Sequence, residues 1–132
     1  MNYYFTTTTK GNFETIEAKV IRLLKDEGFG VLTEINMQQT LKNKLNVNFK
    51  KYKILGACSP PFAYKALQVE NKIGTMLPCN VIIQETSHNT IEVSTINPIV
   101  SMQAVKNEQL HEVAKVISAK LENVIKNINN EK

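Results

Sequence analysis

The sequence predicts an α+β fold. It should be a single two-layer domain in which a largely antiparallel or mixed sheet of about five strands carries helices on one side. Three observations predict it. The strand-like run Cys79–Glu85 (CNVIIQE) is followed, after a turn around His88-Asn89, by a second run from Thr90 to Ile96; two such runs form a hairpin and are therefore antiparallel. Upstream of the hairpin, strand-like and helix-like stretches alternate. Downstream, one long helix carries a single apolar stripe, Leu110, Val113, Ile117, Leu121, Val124 and Ile128, which needs a sheet face to bury against.

Each element follows from local residue chemistry. Tyr3 to Thr9 is β-branched and aromatic, hence a strand, and Lys10-Gly11 turns the chain. Asn12 is a helix N-cap, Phe13, Ile16, Val20, Leu23 and Leu24 repeat at helical spacing to about Glu27, and Gly28 suits the left-handed stop. Phe29 to Ile35 reads as a second strand. Met37 to Leu45 reads as a short helix with Met37, Leu41 and Leu45 as its stripe, ended by Asn46. Tyr52 to Cys58 is a third strand. Ser59 is an N-cap, and Pro60 suits the first position of a helix running to about Glu70, because its missing N–H would be unpaired there in any case. Ile73 to Leu77 is a loop or single turn. Asn97-Pro98 breaks the last strand, and the long helix spans Asn107 to about Ile128. Residues 1–128 form the one expected domain, and 129–132 a frayed tail.

Composition narrows the function. The 132 residues suffice for one domain with its own core, and a 42% hydrophobic, 21% charged chain has the balance of a globular protein. Net charge is +4, yet Arg22 is the single arginine and the lysines are scattered apart from Lys50, Lys51 and Lys53. Readers of phosphates and base edges rely on arginine forks, so nucleic acid is not an expected partner. The opening residues lack the apolar stretch of a secretory signal, and no apolar run is long enough to span a bilayer. A cytoplasmic protein with no membrane partner and two reduced cysteines is expected.

The candidate chemistry centres on Cys58, at the end of a strand and just before a helix. A thiol there faces free N–H groups and the positive end of the helix dipole, which favour the thiolate. The alternative is a small packed residue in the tight seam Gly56-Ala57-Cys58. Cys79 lies 21 residues on, outside a C-x-x-C pattern but within reach if the strand ends meet. Cys58 and Cys79 are the catalytic candidates. Tyr52, Cys58, Ser59, Pro60, Phe62, Tyr64, Pro78 and Cys79 are the candidate ligand-binding residues, grouped around the Cys58 turn. His88, a turn residue, and His111, on the long helix, show no spacing that ties them to either cysteine. Glu34 and Glu85 are inward-pointing candidates with no sign of convergence. No metal site is expected from this set, and no cofactor, since the glycines fit neither a dinucleotide fingerprint nor a P-loop.

Two long stretches carry a resemblance. GFGVLTEINMQQTLKNKLNVNFKKYKILGACSPPFAYKAL (Gly28 to Leu67) and IGTMLPCNVIIQE (Ile73 to Glu85) resemble the domain of unknown function 302 family, DUF302. The resemblance rests on VLTEI, the leucine-containing helix after it, YKILGAC-x-PP-x-A and LPCN taken together. Ser59 stands where the family pattern has asparagine, and Phe62 where it has leucine; both replacements keep the capping and packing roles. The resemblance implies a compact α+β domain that forms a homodimer, with Cys58 and Cys79 as positions the family often shares, and it implies no established activity. Two functions follow as expectations. One is a homodimeric module that binds a small ligand or a partner at the Cys58 turn. The other is a thiol-based redox or sulfur-handling enzyme using Cys58 with Cys79.

Overall fold

The elements form where short-range chemistry allows, and the computed structural model describes residues 1–130 of the chain. Strand β1 spans Tyr4–Lys10 and helix α1 spans Phe13–Asp26. Asn12 Oδ1 accepts from Thr15 N at 2.8 Å, and Gly28 leaves the helix with φ 88°, a conformation that favours glycine. Strand β2 (Gly30–Asn36) leads without a break into α2 (Met37–Leu45), capped by Asn36 Oδ1 on Gln39 N and closed by Asn46 at φ 53°. Strand β3 (Tyr52–Cys58) precedes α3 (Pro60–Val69) and a 3-10 helix (Asn71–Met76), where a loop or single turn was expected. Strands β4 (Cys79–Ser87) and β5 (Thr90–Ile96) form the predicted hairpin, with β4 two residues longer than its apolar pattern suggests. Its turn is the dipeptide His88-Asn89, with Asn89 at φ 54°.

The break at Asn97-Pro98 starts a one-turn helix, α4 (Pro98–Ser101), and α5 (Glu108–Asn130) closes the chain. Asn97 Oδ1 caps α4 at Ile99 N and also accepts from Ser118 Oγ of α5 at 2.9 Å, so one buried amide joins β5, α4 and α5. Asn107 works in the same way. Its Oδ1 accepts from Leu110 N while its Nδ2 donates to Val69 O, tying the end of α3 to the start of α5.

The five strands are paired in the order β1-β5-β4-β3-β2, and every pair is antiparallel. Alternation then sorts the side chains. Leu55 and Ala57 of β3, Cys79, Val81 and Ile83 of β4, and Ile91 and Val93 of β5 face the helices; they pack with Phe13, Val20 and Leu24 of α1 and Leu121, Val124 and Ile128 of α5. A smaller cluster of Ala66, Ile73, Met102, Leu110 and Ala114 lies beneath α3 and α4. Among the described residues, no helix buries the opposite face of the sheet.

Two expectations change. The stripe Met37, Leu41 and Leu45 does not face a core: α2 has no buried residue, and Leu45 is 65% exposed. Helical spacing reports which residues share a face, not whether anything covers it. The first half of the expected tail is helical, since α5 runs to Asn130 and Asn129 Nδ2 donates to Thr7 Oγ1 and Thr8 O of β1. Glu131 and Lys132 lie outside the described residues.

Candidate functional site

The register of β3 on β4 builds the site. Ala57 pairs with Cys79, which sets Cys58 beside the Pro78–Cys79 segment. Gly56 allows this approach: a Cβ there would overlap Thr33 Oγ1 of β2 and stand 2.6 Å from Pro78 Cγ. The chain then turns into α3. Ser59 occupies the N-cap position in an extended conformation, but its hydroxyl makes no capping bond, contrary to the expected side-chain cap. The helix is started instead by Pro60 and Pro61 in its first turn and by the bond from Ala63 N to Ser59 O.

Behind this turn lies a recess. Its lining comes from β3 (Ala57, Cys58), α3 (Phe62, Ala63, Ala66), the strand entry (Leu77, Pro78, Cys79), the α4 segment (Pro98, Met102) and α5 (Ala114, Ile117). The recess is small, with a cavity volume of about 30 Å³, and it opens to solvent at its mouth. No lining residue carries a charge or a side-chain amide, so a water in the recess would lack the two to four polar partners that hold buried water. A terminal methyl group gives up no hydrogen bond there.

The two thiols differ. Cys58 is partly exposed and Cys79 is buried. Burial, with a smaller contribution from Cys58, pushes the Cys79 thiol up to about 11. At neutral pH the Cys79 thiol therefore rests protonated in the wall of the recess.

The structure brings together four of the residues expected from sequence: Cys58, Phe62, Pro78 and Cys79. Ser59 is buried and Pro60 exposed, and neither lines the recess. Tyr64 is 65% exposed on α3 and also points away from this lining. Tyr52 belongs to the uncovered face of the sheet, where it lines a different hollow. Sequence reasoning missed the α4 and α5 walls. Ile117 was legible as part of the helical stripe, whereas Met102 and Ala114 meet Phe62 and the two cysteines only through the tertiary fold.

The remaining titratable candidates have local duties. Glu85 Oε2 accepts from Asn89 N in the hairpin turn. Glu34 accepts an ion pair from Lys53 at 2.7 Å, and Lys53 also meets Glu17 at 3.0 Å. Lys51 pairs with Glu14 at 3.5 Å, so two of the three clustered lysines are neutralised within the fold. His111 Nε2 contacts Val105 O at 2.6 Å, and His88 lies in the turn beside Asn89. Among the described residues, no group of three or more His, Cys, Asp or Glu could hold a metal ion. Nor is any helix among them long and apolar enough to cross a membrane.

The model of a family described as "Domain of unknown function DUF302" matches residues 5–128. The chain belongs to the DUF302 family. A crystal structure of an uncharacterized conserved protein DUF302 from Bacillus stearothermophilus has the same fold, with a TM-score of 0.86 at 23% identity, over 94% of this chain and 96% of that one. No curated protein sequence matches. This DUF302 chain therefore has its family and its fold in common with a solved relative, and its recess lies within the matched residues.

Proposed function

We propose that this DUF302 domain is a binding module that works as a homodimer and seats the apolar end of a small ligand, or of a partner's side chain, in the recess beside Cys58. The observation that carries the reading is the lining: five segments of the chain converge on one opening and contribute only apolar side chains and two thiols. A cavity of about 30 Å³ takes a terminal methyl-sized group, with the rest of the ligand at its solvent-open mouth. Alkylation of Cys58 by iodoacetamide tests this. In the native protein, saturating hexanol should slow the reaction several-fold, because the alkyl chain covers the sulfur. An unchanged rate contradicts the reading.

The homodimer is supported by the β2 side of the molecule. Strand β2 is an outer strand of the sheet, α2 beside it buries nothing, and Leu32, Ile35, Leu45, Val47 and Phe49 are all at least 40% exposed. Light scattering on a sizing column should give twice the 14.9 kDa of one chain, and Leu45→Asp with Ile35→Asp should return it to one. A native monomer at high protein concentration removes this part of the proposal. A cytoplasmic setting accords with two free cysteines.

A second reading is favoured by both thiols lining the same recess. Cys58 attacks a partner's disulfide, Cys79 resolves the mixed disulfide, and the partner leaves as two thiols while this chain gains one disulfide. Exposure to oxidised glutathione should then yield a species lighter by two hydrogens, with the Cys58 and Cys79 peptides linked. Stable glutathione adducts on Cys58 alone, or no reaction, exclude it.

A further inference from the structure

The geometry points to a second binding site, for an alkylated ammonium ion, on the sheet face that no helix covers. The register puts Tyr52, Gln84 and Glu92 side by side across β3, β4 and β5. Tyr3 and Tyr4 stand at the other side of the same hollow, their rings 4.9 Å apart and at 80° to each other. The hollow measures about 360 Å³, with Ile82 among its lining residues. Its size falls within the range of small-molecule sites and exceeds that of a bare ammonium head group.

Charge decides what fits. Glu92 is the one carboxylate of the lining, which holds no Lys, Arg or His, and among the described residues it has no ion pair. Gln84 Nε2 donates to Glu92 Oε1 at 3.0 Å, which holds the carboxylate in place without neutralising it. The nearest lysine along the same strand pair, Lys10, is engaged with Thr90 Oγ1 at 2.8 Å. Burial first, then Glu92 and Tyr3, raise the Tyr52 phenol; the Glu92 carboxylate in the lining is what disfavours another anion there. A hard metal ion needs several oxygen ligands, and a single carboxylate does not supply them. An alkylated ammonium ion gives up little hydration and gains from the tyrosine rings of the lining as well as from the carboxylate. This site is on the opposite face of the sheet from the core beneath α1 and α5, and it does not rest on the recess at Cys58.

Choline is the probe, with its neutral carbon isostere dimethylbutanol and with sodium chloride as controls. In amide NMR spectra of the full chain, choline should produce saturable shifts at Tyr3, Tyr4, Tyr52, Gln84 and Glu92. Glu92→Gln should weaken binding by about five-fold or more, and Tyr52→Phe, which keeps the ring, should leave it nearly unchanged where Tyr52→Leu does not. Each variant should keep the native dispersion of the remaining amide signals. The inference is overturned if no saturable shift occurs, if sodium chloride or dimethylbutanol reproduces it, or if Glu92→Gln binds choline as well as the native chain does.

Discussion

At the scale of single residues, three positions carry distinct expectations. Thr95 faces the helix layer at 1% exposure, and among the described residues its hydroxyl has no partner. A buried unpaired hydroxyl costs about 1 kcal/mol or more, so Thr95→Val should raise the unfolding midpoint; a lowered midpoint contradicts the assignment. Gly56 is the converse case. Gly56→Ala forces a methyl against Thr33 and Pro78 and should cost about 1–3 kcal/mol, read by denaturant unfolding, and a neutral result would mean the strands can part at no cost. Cys79 gives a pH dependence. Its thiol is raised from 9.0 to about 11 on folding, so between those values the unfolded chain has lost a proton that the folded chain retains. Stability therefore falls as pH rises through that window, by roughly 3 kcal/mol in all. Cys79→Ala should remove this component of the alkaline loss.

At the scale of elements, the telling contrast is between α1 and α2. Both carry apolar residues at helical spacing and both have asparagine caps, so both were legible as helices. The buried face of α1 and the exposed face of α2 were not distinguishable, because burial depends on what the sheet order places beside each helix. The ion cluster was also illegible. Lys53, Glu17 and Glu34 come from three elements, and only the β2–β3 register and the packing of α1 bring them together. The side chain of Glu17 is only 13% exposed, so removing its partner strands a partly buried carboxylate. Lys53→Ala should cost about 1–3 kcal/mol, and Glu17→Gln in that background should restore part of it. The Lys53 ammonium is raised chiefly by its hydrogen bond to Glu34. Its contribution is thus present at neutral pH and lost as pH climbs through the raised value, adding to the Cys79 effect from the same direction.

At the scale of the whole molecule, the α+β class and the antiparallel hairpin were readable from period and turn chemistry, and the full strand order was not. The candidate site was half-readable for the same reason. Cys58, Phe62, Pro78 and Cys79 belong to two short segments that flank one strand pair, so sequence alone groups them. The remaining walls come from Met102 and Ala114, more than twenty residues beyond Cys79, and reach the recess because Asn97 and Asn107 fix where α4 and α5 begin. Tyr52 and Tyr64 were grouped with Cys58 by proximity in sequence. Strand alternation and helix exposure place one on the other face of the sheet and the other in solvent. The same alternation gives the molecule two unlike faces, a core-backed recess of apolar side chains and thiols on one and a tyrosine-lined carboxylate on the other.

The measurement that tests the central claim most directly is a titration of the native chain with straight-chain alcohols of increasing length, followed through the alanine methyl signals. Shifts should be confined to Ala57, Ala63, Ala66 and Ala114. Each added CH₂ should tighten binding by about 0.8 kcal/mol, roughly four-fold, until the recess is filled, and further length should then add nothing. Ala63→Leu, which fills the recess from within, should abolish the response. Shifts scattered over the surface, or no dependence on chain length, would contradict an apolar binding recess at the Cys58 turn.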